Sequence, residues 1–190
     1  MRIISGKYKG RRISPPKGLP VRPTTDMSKE ALFNVLNNHF SFEGLKILDL
    51  FAGTGNISYE FASRGSTPIT SVDGDFGCVK FIKQVATEYD FNIAATKSDV
   101  FTYLERCKTS YDIIFADSPY CKGPADRDFI VELAEAGVAG LLKSGGVFIA
   151  EVQEGWGTGR EGAAEIDGLN LVDTRRYGKN MLLFYQLPEK

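Results

Sequence analysis

Cysteine and histidine are scarce in this 190-residue sequence. The three cysteines (Cys78, Cys107 and Cys121) are widely spaced without a Cys-x-x-Cys pair, and the single histidine, His39, stands at the end of a predicted helix. Structural zinc sites and disulfide frameworks need such residues in closely spaced sets. The sequence therefore predicts neither, and its few unpaired thiols suit the reducing cytoplasm, where we expect the protein to act.

Long apolar runs are also missing. No stretch approaches the roughly 18 residues that a membrane helix needs, and the N-terminus is polar and basic rather than signal-like. A hydrophobic fraction of 43% and a charged fraction of 25% are those of an ordinary globular protein. The length predicts one well-buried domain with at most a small appendage.

Acidic residues are absent from the first 25 positions. Seven of the 23 Lys and Arg residues lie there, so the rest of the chain has a net charge of −8. Such a segment predicts a polyanionic partner, although a solvated basic tail without a partner has the same composition. We assign residues 1–25 to a basic N-terminal hairpin and loop and residues 26–190 to the main domain. The basic residues are Arg2, Lys7, Lys9, Arg11, Arg12, Lys17 and Arg22.

Local patterns predict the first elements. Residues 2–14 suit a β-hairpin with glycines on both sides of its turn, and a proline-rich loop follows. A helix is predicted over about 27–39, with Thr25 or Asp26 as its N-cap. Its apolar side is predicted to contain Ala31, Leu32, Val35 and Leu36, and Phe33 and Phe40 are predicted to add to its apolar surface.

From Leu45 onward, strands and helices alternate. Near-continuously apolar strands that alternate with helices predict a parallel sheet covered on both faces. In the second helix, Glu60 and Arg64 stand at the spacing of a surface ion pair. Strands are predicted near 45–50, 68–73, 91–96, 111–117 and 145–152, and helices near 56–65, 75–88, 98–107 and 126–142. Two closing strands, 169–176 and 181–187, have no helix between them and predict an antiparallel hairpin.

The turn after the first of these strands contains two glycines, Gly53 and Gly55. A strand that runs into a glycine turn and a helix is typical of nucleotide-type cofactor sites, where a Cβ would keep the backbone from the ligand. The third glycine of a nicotinamide fingerprint is missing, because Ser58 stands there. Asp49, at the strand's end, is expected to accept backbone hydrogen bonds from the loop.

Acidic residues follow the next three strands. Asp73 comes 20 residues after Gly53, the spacing at which a carboxylate reaches ribose hydroxyls, and Asp99 follows the third strand. Either acid could instead cap the helix after it. Asp117 opens the turn after the fourth strand. Ligands of open parallel sheets bind beyond the carboxyl ends of the strands, so these positions predict a nucleoside cofactor and a substrate there.

Two sequence motifs resemble those of a known enzyme class. Asp49-Leu50-Phe51-Ala52-Gly53-Thr54-Gly55 resembles the first motif of class I S-adenosylmethionine-dependent methyltransferases. Asp117-Ser118-Pro119-Tyr120 resembles the (Asp/Asn)-Pro-Pro-(Tyr/Phe) motif of those that methylate exocyclic amino groups of bases. Further segments are similar to the bacterial small-subunit (16S) ribosomal RNA guanine-N2 methyltransferase family. They are Arg2–Gly6, Gly10–Arg12, Arg22–Asp26, Glu30–Asn34 and Glu60–Gly65.

The resemblance implies an α/β, Rossmann-like fold with a mostly parallel seven-stranded sheet of order 3-2-1-4-5-7-6. It also implies S-adenosylmethionine as cofactor, no metal, a monomer, and small-subunit ribosomal RNA or an assembling ribosomal particle as partner. The cofactor residues would be Asp49, Phe51, Gly53, Thr54, Gly55, Asp73 and Asp99. The catalytic turn would be Asp117, Ser118, Pro119 and Tyr120, with Tyr120 stacked on a flipped-out base. The RNA-binding residues would be Arg2, Lys7, Lys9, Arg11, Arg12 and Arg22.

One position departs from the motif. Ser118 replaces the usual first proline, so the turn keeps its carbonyl but loses a fixed φ angle. Two other functions remain open at this point: a DNA adenine-N6 methyltransferase, which uses the same fourth-strand motif, and a non-catalytic RNA-binding assembly factor. The missing third glycine and the closing hairpin argue against a nicotinamide-dependent reductase.

Overall fold

The sheet has seven strands in the order β3-β2-β1-β4-β5-β7-β6, as predicted. The computed structural model describes residues 1–21, 25–119, 128–153 and 166–189. The chain divides into two compact units, Met1–Val100 and Phe101–Lys190. Along the chain the elements are α1 (Asp26–Leu36), β1 (Ile47–Leu50), α2 (Asn56–Ser63), β2 (Ile69–Asp73), α3 (Phe76–Tyr89), β3 (Ile93–Lys97), α4 (Val100–Arg106), β4 (Tyr111–Asp117), α5 (Phe129–Glu135), the 3-10 helix η1 (Val138–Leu141), β5 (Leu142–Gln153), β6 (Asn170–Tyr177) and β7 (Asn180–Gln186).

The first unit contains three parallel strands. β1 pairs with β2, and β2 pairs with β3. All four residues of β1 are buried, which explains its short, continuously apolar sequence with one acid, Asp49. Because parallel strands share a direction, the turns after β1, β2 and β3 lie at one edge of the sheet.

The N-terminal segment, defined as Met1–Val21, is part of the first unit's core. It folds back on itself through a single antiparallel bridge between Arg2 and Arg12, so the predicted hairpin is reduced to this bridge and its flanking hydrogen bonds. Ile3 and Ile13 are buried among residues of α2 and α3. Burial of such a side chain stabilises a fold by about 1.5–3 kcal/mol, so these two residues anchor the segment.

Helix α1 begins where the sequence predicts and ends three residues earlier. Thr25 is its N-cap, and its side chain accepts a hydrogen bond from the backbone N–H of Ser28. The predicted apolar face is only partly right. Its buried residues are Ser28, Lys29, Leu32, Phe33 and Leu36.

The second unit combines parallel and antiparallel pairs. β4 pairs in parallel with β5, and the predicted closing hairpin is formed by β6 and β7, with β7 antiparallel to β5. β7 is largely buried, whereas β6 is mostly exposed, as expected for an edge strand. Nowhere in the described parts of the chain is a helix long and apolar enough to cross a membrane.

Candidate active site

The turn after β1 has an unusual backbone. Phe51, Gly53 and Gly55 have φ angles of 57°, 54° and 81°, all in the left-handed region. Glycine adopts this region freely, but a residue such as Phe51 is strained there and is held only by its surroundings. Such strain clusters at functional sites. We call residues 51–55 the glycine loop.

The glycine loop is bound to the end of β2. The backbone N–H of Gly53 donates to Oδ2 of Asp73 at 2.8 Å, and the N–H of Ala52 donates to the carbonyl oxygen of Val72. Oδ1 of Asp73 accepts from the N–H of Asp75 at 2.8 Å. The structure therefore brings together the predicted cofactor residues Gly53 and Asp73.

Asp73 does not cap helix α3. Asp75 does so, because its side chain accepts from the N–H of Cys78. Each oxygen of Asp73 accepts one backbone N–H, and a carboxylate oxygen has room for a second hydrogen bond. This half-buried carboxylate can therefore bind a pair of neighbouring hydroxyls.

Gly55 is required by the protein's own packing. A Cβ at this position would lie 2.7 Å from Cζ of Tyr59 and 2.9 Å from Cγ1 of Ile82. At Gly53, a Cβ would lie 3.4 Å from Cγ1 of Val21, an ordinary contact. Packing inside the unit therefore already requires glycine at position 55, whereas at Gly53 only the left-handed backbone does. Thr54, between them, is buried.

Asp49 is bound to helix α2. Its Oδ2 accepts from Oγ of Ser58 at 2.6 Å, and Oγ of Ser58 lies 2.7 Å from Oγ of Ser71. Burial raises the pKa of Asp49 to about 7, although hydrogen bonds from Ser58 oppose the shift. The expected partner, the glycine loop backbone, is thus replaced here by Ser58, the residue that stands where a nicotinamide site has its third glycine.

Asp99 lies in the turn between β3 and α4 and is exposed. The backbone N–H of the preceding residue, Ser98, donates to the carbonyl oxygen of Asp73 at 3.1 Å. The turn after β3 is therefore fixed beside the turn after β2. This contact brings Asp99 to the same edge of the first unit as Asp73 and the glycine loop.

The predicted RNA-binding residues differ in their surroundings. Lys7, Lys9, Arg11 and Arg12 are exposed. Arg2 forms ion pairs with Asp26 and Glu30 at 3.5 and 3.6 Å. Arg22 lies outside the described residues.

Tyr8, between the two lysines, packs on Tyr89 and Phe91. Its hydroxyl donates to the carbonyl oxygen of Tyr89 at 2.8 Å. This side chain therefore belongs to the fold, and the surface of the N-terminal segment is basic rather than aromatic.

A buried charge cluster joins the N-terminal segment to α1 and α2, and the sequence patterns did not reveal it. Nζ of Lys29 donates to the carbonyl oxygen of Arg2 and to Oδ1 of Asn56, and it lies 3.3 Å from Oε2 of Glu60. Burial lowers the pKa of Lys29, and the charge of Glu60 opposes this. One local sign existed, because Lys29, Leu32 and Leu36 share a helix face at spacings of three and four.

Glu60 was predicted to form a surface ion pair with Arg64. The pair exists, with Nε of Arg64 2.9 Å from Oε1, but the Glu60 side chain is fully buried. Its two oxygens also accept the backbone N–H groups of Ile4 and Ser5. Glu60 therefore fastens the N-terminal segment to α2.

In the second unit, Asp117 is the last residue of β4 and is half-buried. It stands in register with Glu151 of β5, whose buried carboxylate accepts from Nδ2 of Asn180 at 2.7 Å. Ser118 is buried and Pro119 is exposed. Tyr120 lies outside the described residues. Across the described ranges, no cluster of His, Cys, Asp and Glu could hold a metal ion.

The fold, with its strand order β3-β2-β1-β4-β5-β7-β6, is that of Rossmann-like methyltransferases. The chain belongs to the family described as conserved hypothetical protein 95, whose model matches residues 1–186. It is 33% identical over 124 residues to the ribosomal RNA small subunit methyltransferase D of Escherichia coli K12, with 65% of this chain and 62% of that protein covered. The enzyme of the same name from Buchnera aphidicola is 32% identical over 121 residues, with 63% and 61% covered. The alignments thus span about three fifths of these relatives.

One solved structure shares the fold at 22% identity. It is the 16S rRNA N2 G1207 methyltransferase of Thermus thermophilus in complex with AdoMet and guanosine. The TM-score is 0.71, with 90% of this chain and 46% of that chain covered.

Proposed function

We propose that the protein transfers a methyl group from S-adenosylmethionine to the exocyclic N2 amino group of a guanine in small-subunit ribosomal RNA. The observation that carries this proposal is Asp117 at the carboxyl end of β4, opening the sequence Asp-Ser-Pro-Tyr. Relatives named as small-subunit ribosomal RNA methyltransferases support the substrate class. Such a substrate is found in the cytoplasm.

The first unit fits the proposed cofactor. Asp73 has acceptor capacity for the two ribose hydroxyls, and the glycine loop beside it presents backbone at the same edge. Asp99, exposed in the next turn, would accept a hydrogen bond from the adenine amino group. When bound, S-adenosylmethionine supplies an activated methyl group on a sulfonium, so the chain needs no nucleophile of its own.

The second unit would orient the substrate. The lone pair of a guanine amino nitrogen is delocalised into the ring, which makes this nitrogen a poor nucleophile. Acceptors for its two hydrogens favour a more tetrahedral nitrogen and direct the lone pair outward. Asp117 and the carbonyl oxygens of the following turn would be these acceptors, and Tyr120 would stack on the flipped-out base. Positioning of this kind lowers barriers by about 7–11 kcal/mol at its extreme.

The experiment is methyl transfer from labelled S-adenosylmethionine to small-subunit particles from cells that lack the enzyme. Naked small-subunit RNA and duplex DNA serve as competing substrates. We expect transfer to guanine N2 in the particles or RNA. In Asp117→Ala the transfer rate should fall at least 100-fold, which is the scale of a lost transition-state contact. The cofactor affinity of this variant should stay within twofold of wild type. Equal transfer by Asp117→Ala, or transfer to DNA alone, would refute the proposal.

A further inference from the structure

The buried ammonium group of Lys29, on α1, binds both the N-terminal segment and α2. Its side chain is 1% exposed, and its three neighbouring acceptors belong to Arg2, Asn56 and Glu60. An ammonium has three N–H donors, and burying one is tolerated only when those donors are bound. The cluster thus satisfies Lys29 fully, which means that each partner is held in place by it.

Asn56 is the partner that touches the glycine loop. It is the first residue of α2 and directly follows Gly55, and its Oδ1 lies 2.9 Å from Nζ of Lys29. The entry of the loop is fixed to β2 by Ala52 and Gly53. The exit is fixed through Asn56. A backbone with a strained residue at Phe51 needs such constraints on both sides.

Glu60 extends the same cluster to the basic surface. It accepts the backbone N–H groups of Ile4 and Ser5, while Lys29 holds the carbonyl oxygen of Arg2. Consecutive peptide groups of the N-terminal segment are therefore held by Glu60 of α2, the helix that follows the glycine loop, and by Lys29 of α1. Replacing the Glu60 carboxylate by an amide would put donors against donors here.

We propose that Lys29 is a positioning residue for cofactor binding, which acts through Asn56 to hold the exit of the glycine loop and fixes the N-terminal segment in the same frame. The identity of the cofactor rests on the proposed function, whereas the contacts of Lys29 are observed in the structure. Lys29 is itself buried, so it is not expected to contact the cofactor or the RNA. Its effect is on the loop's geometry.

Four variants separate this role from a general contribution to stability. Asn56→Ala removes the link to the loop but leaves Lys29 with Glu60 and Arg2, whereas Asn56→Asp keeps an acceptor for Lys29. Lys29→Met removes the ammonium group and leaves the buried Glu60 carboxylate with Arg64. Arg64→Ala removes a different partner of Glu60, at the far end of α2, and is the matched control.

The readouts are the Kd of S-adenosylhomocysteine by calorimetry, the melting temperature, and KM and kcat with ribosomal particles. We expect Asn56→Ala to weaken binding about tenfold, the scale of one hydrogen bond to a charged group, with KM for the cofactor raised and kcat at saturation unchanged. Asn56→Asp should restore binding. Lys29→Met should weaken binding and lower the melting temperature, and Arg64→Ala should lower only the melting temperature.

A Kd within twofold of wild type for Asn56→Ala overturns the proposal. If Lys29→Met does not fold, Asn56→Ala and Asn56→Asp decide alone. Failure of the wild-type protein to bind S-adenosylhomocysteine would refute the proposed function instead, so the two failures are distinguishable.

Discussion

The backbone N–H of Gly53 donates to Oδ2 of Asp73 at 2.8 Å and thereby ties the end of β1 to the end of β2. Both oxygens of Asp73 accept a backbone N–H. An amide in its place would satisfy one N–H and oppose the other with its own donors. Asp73→Asn should therefore weaken S-adenosylhomocysteine binding at least tenfold, or about 1.4 kcal/mol.

Asp75 offers the control for this prediction. It lies two residues away and caps α3, so Asp75→Ala removes a carboxylate from the same turn without touching the glycine loop. We expect this variant to lower the melting temperature while the Kd stays within twofold of wild type. Equal losses of affinity in both variants would contradict a specific role for Asp73.

Asp49 makes stability depend on pH. Its pKa is raised from 3.8 to about 7 in the folded state. As the pH rises, the Asp49 carboxyl therefore loses its proton at a lower pH in the unfolded chain than in the folded protein. The folded protein therefore loses stability as pH rises from about 4 to about 7, by up to about 1.4 kcal/mol per pH unit, and no further loss occurs above that range. Asp49→Asn cannot ionise and should lack this decline. Urea unfolding at pH 4.5, 6 and 8 measures it.

Two further measurements test whether Asp49 causes this pH dependence of stability. Ser58→Ala removes a donor that favours the ionised form, so it should extend the decline to higher pH. Parallel stability profiles for wild type and Asp49→Asn would show that another group is responsible.

Local patterns predicted the strands and the acids that follow them, whereas the order of the strands in the sheet was predicted from the resemblance to methyltransferases. Apolar strands, a glycine turn and carboxylates at strand ends are visible within a few residues of one another. The burial of Glu60 could not be predicted in this way, because the N–H groups that bind its carboxylate belong to Ile4 and Ser5, which are 56 and 55 residues away. Spacing correctly paired Glu60 with Arg64 but could not tell a surface pair from a buried one.

Asp73 and Asp75 show a second limit of sequence patterns. Two acids stand within three residues before α3, and either could cap it. Which carboxylate faces the helix depends on the backbone of the turn, and the structure assigns the cap to Asp75 and the loop contact to Asp73. Sequence patterns predicted Asp73 as either a ribose ligand or a helix cap, and they predicted neither its contact with the glycine loop nor the cap at Asp75.

The two glycines of the loop should respond differently to alanine. At Gly55 the new Cβ would meet Tyr59 and Ile82 below 3.0 Å, and overpacking of this kind costs about 1–3 kcal/mol beyond the strain of the left-handed backbone. At Gly53 only the strain applies, about 1–2 kcal/mol. Urea unfolding should therefore rank Gly55→Ala as the less stable variant. The reverse order would mean that the loop repacks around Gly55.

The exposed arginines of the N-terminal segment should contribute to RNA binding through charge. Arg11→Ala with Arg12→Ala keeps the backbone contacts that fold the segment but removes two cations. Each lost phosphate contact lowers the slope of log K against log salt by about 0.7–0.9, so we expect the double variant to lose roughly 1.5 from the slope. Filter binding of small-subunit RNA at several salt concentrations measures this.

The control for the arginine prediction removes the same charge elsewhere. Lys143 and Arg175 form exposed ion pairs with Asp112 and Asp173 in the second unit, and their replacement by alanine should leave the slope unchanged. Because Ile3 and Ile13 anchor the segment, the arginine variant should also bind S-adenosylhomocysteine with unchanged affinity. An unaltered salt slope in the arginine variant would assign the RNA contact to another surface, whereas loss of RNA and cofactor binding together would indicate a folding defect.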